Sequence, residues 1–172
     1  MNIFGNIFKN PTIANTATPE QKVPSAAPAA SVKTQKHRIT GVSHYAKNIM
    51  KIATENPNYS LPAKQIILKK LIDENIYQYI FNPGNVELIP EPSNPYDPNA
   101  IKVLISGEHV GYIKAGSCSR VLKLIKENRI ENIACRIHGG AFKCLSVCGD
   151  GGEYEMEKGK DSISIEITIF EQ

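Results

Sequence analysis

No run of roughly 18 apolar residues occurs in this 172-residue chain, so no segment is long enough to cross a bilayer as a helix. The opening MNIFGNIFKNP has neither the apolar core nor the cleavage site of an export signal. These absences point to a cytoplasmic protein with no membrane partner. Catalytic signatures are missing as well: there is no G-x-x-x-x-G-K phosphate loop, no H-E-x-x-H zinc helix and no G-x-S-x-G nucleophile elbow. Neither an enzyme nor a cofactor is therefore expected. Net charge is small, at +3, and the first 37 residues hold all of it through Lys9, Lys22, Lys33 and Lys36 against Glu20. Residues 38–172 are formally neutral, so the case for nucleic-acid binding driven by bulk counterion release is weak and any such binding needs a local site.

Cysteine is sparse. Cys118, Cys135, Cys144 and Cys148 are expected as free thiols, because a chain without an export signal meets a reducing compartment. Cys144 and Cys148 with His138 are the best zinc set available. On an extended strand, however, four residues separate the two thiols by about 13 Å, whereas ligands of one zinc lie within about 4 Å. A zinc site there requires the segment to bend.

What is present is one domain's worth of apolar residues behind a polar segment. Residues 10–37 place Pro11, Pro19, Pro24 and Pro28 among Ala, Thr, Ser and Gln, with too little to bury to offset the entropy of ordering. Residues 1–37 are expected to be a disordered tail and linker. Within them, segment 2–9 carries Ile3, Phe4, Ile7 and Phe8 at helical spacing, a stripe that a docking peptide would use, although so short an isolated helix is marginal and a frayed end is the expected reading.

From Arg38 onwards the pattern is mainly strands with two or three helices. A short strand is predicted over 38–44, a helix over 45–53 ended by Asn56-Pro57-Asn58, and an amphipathic helix over 63–74. Strands follow over 76–81 and 86–89, with Asn82-Pro83-Gly84-Asn85 as the turn. The runs 100–105 and 109–113 flank Ser106-Gly107-Glu108 as a tight hairpin in which Gly107 takes a positive φ. A helix capped by Ser117 runs to Asn128, and strands over 130–137, 141–147 and 162–169 follow, with a turn at Gly139-Gly140 and a surface turn at 149–152. Closure into a small barrel would hide the edges of so many strands.

The most informative stretch is Pro90-Glu91-Pro92-Ser93-Asn94-Pro95-Tyr96-Asp97-Pro98-Asn99, which joins two strands. Four prolines stiffen it. A rigid loop presenting Asn94, Tyr96 and Asp97 suits a site organised before its ligand arrives. Asx turn-capping by Asn94, Asp97 and Asn99 explains the same residue types.

This string, with Gly41-Val42-Ser43-His44-Tyr45 before it and Val110-Gly111-Tyr112-Ile113 after it, resembles the HIRAN domain family over residues 38 to about 170. The resemblance implies an OB-like β-barrel that binds single-stranded DNA, in studied eukaryotic members at a 3′ end. It implies a role in DNA repair, replication or processing, beside a helicase or nuclease encoded elsewhere. By position, Asp97 would accept a hydrogen bond from the terminal 3′-hydroxyl, Tyr96 would contact the last nucleotide, Asn94 would hold the pocket and Phe142 would fall where a stacking aromatic can stand. Tyr45, His44 and Tyr112 are further candidates for base contact, and Lys114 for phosphate, because the family's basic positions are Ser43 and Ala115 here. A protein-interaction adaptor whose barrel no longer binds DNA is the alternative.

Overall fold

The computed structural model describes residues 33–149 and 152–172. The segment 2–9 and nearly all of the expected linker lie outside them. Polar as it looks, Thr34–Thr40 is the first strand, β1, and takes in four residues expected to be linker. Its inward positions are Gln35, His37 and Ile39, all buried, while Lys36, Arg38 and Thr40 face outwards. Gln35 gains its place by donating from Nε2 to Glu171, so a hydrogen bond substitutes for the apolar side chain that would have marked the strand.

β1 ends sooner than the pattern predicts because Gly41 adopts φ 76, a left-handed conformation, and turns the chain into a 3-10 turn over Val42–Tyr45. Helix α1 (Ala46–Lys51) and a three-residue strand β2 (Ala53–Glu55) follow. The predicted helix over 63–74 stops early: α2 spans Ala63–Leu68 and closes in a Schellman turn, with Leu71 N donating to Ile66 O and Lys70 N to Ile67 O. Lys70 takes φ 57 there, a position normally signalled by Gly or Asn, so nothing in the residue types announces the stop. The predicted strand 76–81 divides into β3 (Ile76–Tyr77) and β4 (Tyr79–Phe81), which pair with different partners.

The centre follows its pattern closely. β5 (Val86–Pro90), β6 (Ile101–Ile105) and β7 (Glu108–Ile113) form an antiparallel meander, and Ser106 and Gly107 both take positive φ in the β6–β7 turn. Helix α3 (Ala115–Lys126) buries Cys118, Val121 and Leu124. It begins before Ser117, with Lys114 at its N-cap, and ends in a second Schellman turn at Asn128.

Two strands of 19 residues, β8 (Ile130–Cys148) and β9 (Glu153–Glu171), complete the fold. Gly139-Gly140 is not a turn. It marks a register shift within the ribbon, where His138 pairs with Ser164 but Gly140 pairs with Asp161, so β9 carries one extra residue. That residue changes the parity of β9: Ile165 and Ile167 pack in one core, whereas Met156, at an odd spacing of nine residues from Ile165, packs against another.

The fold is mainly β with few helices. The large sheet has the order β3-β8-β9-β1-β7-β6-β5 and is antiparallel throughout, with β2 and β4 forming a separate pair. The expected barrel does not close: β3 and β5 are the edges of the sheet and do not pair with each other. Ile101, Val103, Ile105, Val110, Ile165, Ile167 and Val121 are fully buried in that core. Each contributes roughly 1.5–3 kcal/mol of apolar burial. Among the described residues no helix is long and apolar enough to cross a membrane.

Candidate nucleic-acid interface

The loop between β5 and β6 stands beside the ends of β1 and β7, and together they line a cleft of about 660 Å³. It is lined by Thr40, Tyr45, Asn94, Tyr96, Asp97 and Tyr112, together with Ile113 and Ala115, where α3 begins. The loop is held by its own polar groups. Asn94 Oδ1 accepts from Tyr96 N at 3.0 Å and from Asp97 N at 3.2 Å, and Asp97 Oδ1 accepts from Asn99 N at 2.8 Å. One bond continues the ladder past the strands, from Glu91 N to Ala100 O, and another closes a turn, from Ala100 N to Asp97 O, each 2.9 Å. Asn94 and Asp97 thus cap the turn through their side chains, Asn99 taking part only through its backbone N–H, and Tyr96 stands in solvent at 95% exposure.

Glu91 ties the loop to the sheet. Its carboxylate pairs with Lys102 Nζ at 2.7 Å and accepts from Tyr112 OH at 3.0 Å and Asn94 Nδ2 at 3.2 Å. The Lys102 ammonium and then the Asn94 amide hold its pKa below the usual carboxylate range, against a smaller opposing effect of burial, with Tyr112 adding to the lowering. Burial, the Tyr45 phenol and Glu91 push Tyr112 the other way, well above an ordinary tyrosine, so it remains a donor to Glu91. The Lys102 charge is consumed within this network.

An aromatic trio backs the cleft. The rings of Tyr45 and His109 lie 4.0 Å apart, those of His109 and Tyr112 4.9 Å, and those of Tyr45 and Tyr112 6.2 Å. His109 Nε2 lies 3.2 Å from Gly111 O, and burial is the main cause of its lowered pKa. Neither His109 nor Glu91 stands out in the sequence as a site residue. His109 and Tyr112 are three residues apart, which in a regular strand puts them on opposite faces. The irregularity between Val103 and Leu104 pairs Tyr112 with Lys102 and His109 with Leu104, returning both to one face. Gly111 makes this possible: a Cβ there would collide with Thr40 O and Ile39 Cγ2, and its φ is +147.

Of the residues expected at the site, Asn94, Tyr96, Asp97, Tyr45 and Tyr112 come together on the cleft. His44 is exposed on the 3-10 turn and Lys114 is exposed at the α3 N-cap, both beside the lining rather than in it. Phe142 is not brought to the cleft. It lies on the outer half of β8, its ring against Gly159 and 5.7 Å from that of Tyr77. Lys143 is also remote, buried with Nζ donating to Leu61 O at 2.6 Å.

Cys144 and Cys148 lie on the extended β8 strand, with Sγ atoms 3.5 Å from Ser146 Oγ and Glu155 Oε2 respectively. Among the described residues no three His, Cys, Asp or Glu side chains are grouped to hold a metal. Burial raises the Cys118 thiol and pushes Cys135 up to about 11, so neither offers a ready thiolate.

Comparison with curated proteins finds no match. The crystal structure of the HIRAN domain of human HLTF is similar at 16% identity and a TM-score of 0.35, covering 81% of this chain and 76% of that chain. The HIRAN domain family model matches residues 74–141. The loop, Tyr112 and α3 thus lie in a stretch that matches the HIRAN domain, a DNA-binding module and not by itself a catalytic one.

Proposed function

We propose that the cleft takes the 3′ end of single-stranded DNA, and that the described domain acts as a non-catalytic module delivering a helicase or nuclease to such ends. The observation that carries this reading is Tyr96, an aromatic ring held in water by a hydrogen-bonded loop at the mouth of a cleft. Stacking a base on such a ring contributes about 1–3 kcal/mol and is indifferent to sequence. Tyr45 supplies a second aromatic wall. Asp97 accepts a hydrogen bond from the 3′-hydroxyl on the carboxylate oxygen not bonded to Asn99 N, and its charge repels a 3′-phosphate. The uncapped first turn of α3 and Lys114 favour the penultimate phosphate.

Fluorescence anisotropy with short single-stranded DNA ending in a 3′-hydroxyl or a 3′-phosphate tests the assignment. Binding that favours the hydroxyl and is lost in Asp97→Ala with Tyr96→Ala is expected. Equal binding of both ends would remove Asp97 from its role. No binding to either would turn the Tyr96 loop into a protein-docking element, a reading that the formal neutrality of residues 38–172 favours.

A further inference from the structure

Outside the cleft, the outward face of β1, β9 and β8 carries a depression of about 550 Å³. Three strands place a row of charges across it. Arg38 on β1 is the register partner of Glu166 on β9, and Glu166 is the partner of Arg136 on β8. His138 and its partner Ser164 form the next row on the same face, and Tyr77 of β3 stands at the side with its hydroxyl donating to Asp161 at 2.6 Å. Both arginines are exposed, and among the described residues neither lies within 4.0 Å of a carboxylate. Glu166 instead meets Lys36 at 3.9 Å. Strands in a sheet are about 4.8 Å apart, which sets the two arginine Cα atoms roughly 10 Å apart with a donor-bearing imidazole and a hydroxyl beside them.

This face is continuous with the cleft. Thr40, which lines the cleft, is two residues along the same outward face of β1 from Arg38. Same-face neighbours on a strand are about 6.7 Å apart, within reach of the next phosphates of a strand whose end occupies the cleft. Two fork-shaped guanidinium groups without carboxylate partners suit phosphodiester oxygens, and the Tyr77 ring offers a face for a base.

We propose that the outward face of β1, β9 and β8 is a second nucleic-acid contact, on which Arg38 and Arg136 hold the backbone of the strand captured in the cleft. The inference rests on the single-stranded DNA reading of the cleft. Glu166 tempers the site, setting its affinity by the negative charge it places between the two arginines.

The test uses the full chain and 5′-labelled oligothymidylates of three and twelve nucleotides with 3′-hydroxyl ends, titrated at several salt concentrations. The Arg38→Ala/Arg136→Ala variant is expected to bind the longer oligonucleotide about tenfold more weakly, with its salt slope reduced by about 1, and to bind the trinucleotide as the unsubstituted protein does. Glu166→Gln is expected to tighten only the longer oligonucleotide, a gain that a misfolded protein would not give. Unchanged affinity and salt slope for the longer oligonucleotide in both variants would overturn the proposal. Arginine-dependent binding of the longer oligonucleotide without trinucleotide binding would uphold this face and dismiss the cleft, and absence of binding to either would dismiss both.

Discussion

The main core and the outer half of the β8–β9 ribbon are made from the same strand-forming residues but are secured very differently. Among the described residues, fifteen buried side chains from β1, α1, β5, β6, β7, α3, β8 and β9 share the main core. The outer ribbon is pinned by a cluster of three, Ile66 of α2, Ile76 of β3 and Leu145 of β8, with Met156 and Tyr59 against it. Burial is thus concentrated under the cleft, and the ribbon tip is an arm with its own small anchor. Regions with few buried contacts open locally at lower free energy than the whole molecule.

The largest test of that contrast is a pair of truncations. Ile167→Ala, in the main core, is expected to cost about 3–5 kcal/mol and to lower the denaturant midpoint of the entire domain. Leu145→Ala is expected to cost about 2–3 kcal/mol, with faster amide exchange confined to α2, β3 and the outer ribbon and with cleft binding retained. Global exchange in Leu145→Ala would show that the two clusters form one cooperative unit.

A smaller effect separates the residue that holds the loop from the residue it presents. Asn94→Ala removes acceptors for two backbone N–H groups and is expected to destabilise by about 1–2 kcal/mol in chemical melts. Tyr96→Ala is expected to change stability by less than about 0.5 kcal/mol while weakening single-stranded DNA binding by about 1–3 kcal/mol. A stability loss in Tyr96→Ala equal to that of Asn94→Ala would mean that the exposed ring has a packing role.

The smallest expected effect lies in β1. Burial, then the Arg120 charge, lowers the pKa of His37 from 6.5, and its Nε2 has no hydrogen-bond partner among the described residues. The unfolded chain therefore binds this proton more readily, so stability is complete above pH 6.5 and falls as the pH drops towards the folded pKa. His37→Gln is expected to flatten this slope, by under about 1 kcal/mol between neutral pH and pH 5, in melts followed across that range. His109, also lowered by burial, leaves a residual slope.

Legibility in the sequence followed locality. β5, the proline loop, the Ser106-Gly107 turn and β7 were readable because alternation and turn chemistry lie within a few residues of each other. So were Asn94, Tyr96 and Asp97, which one loop presents together. β1 was hidden because Gln35 and His37 occupy inward positions, and the end of α2 because Lys70 fills a left-handed position. The ribbon was broken in two by a glycine pair that marks a register shift rather than a turn. His109 is not legible because the strand irregularity that aligns it with Tyr112 depends on pairing with β6. The motif position of Phe142 points to the site, but its place is decided by β3 and Gly159, which the motif does not encode.

The tyrosine-lined cleft gives the molecule an optical property of its own. The chain has seven tyrosines and no tryptophan, so no indole drains their excited state or masks their emission. Three of the seven, Tyr45, Tyr96 and Tyr112, line the cleft. Light emitted near 300 nm, about where free phenols fluoresce, therefore comes in part from the walls of the site, and a base that stacks there is expected to change it without an attached dye.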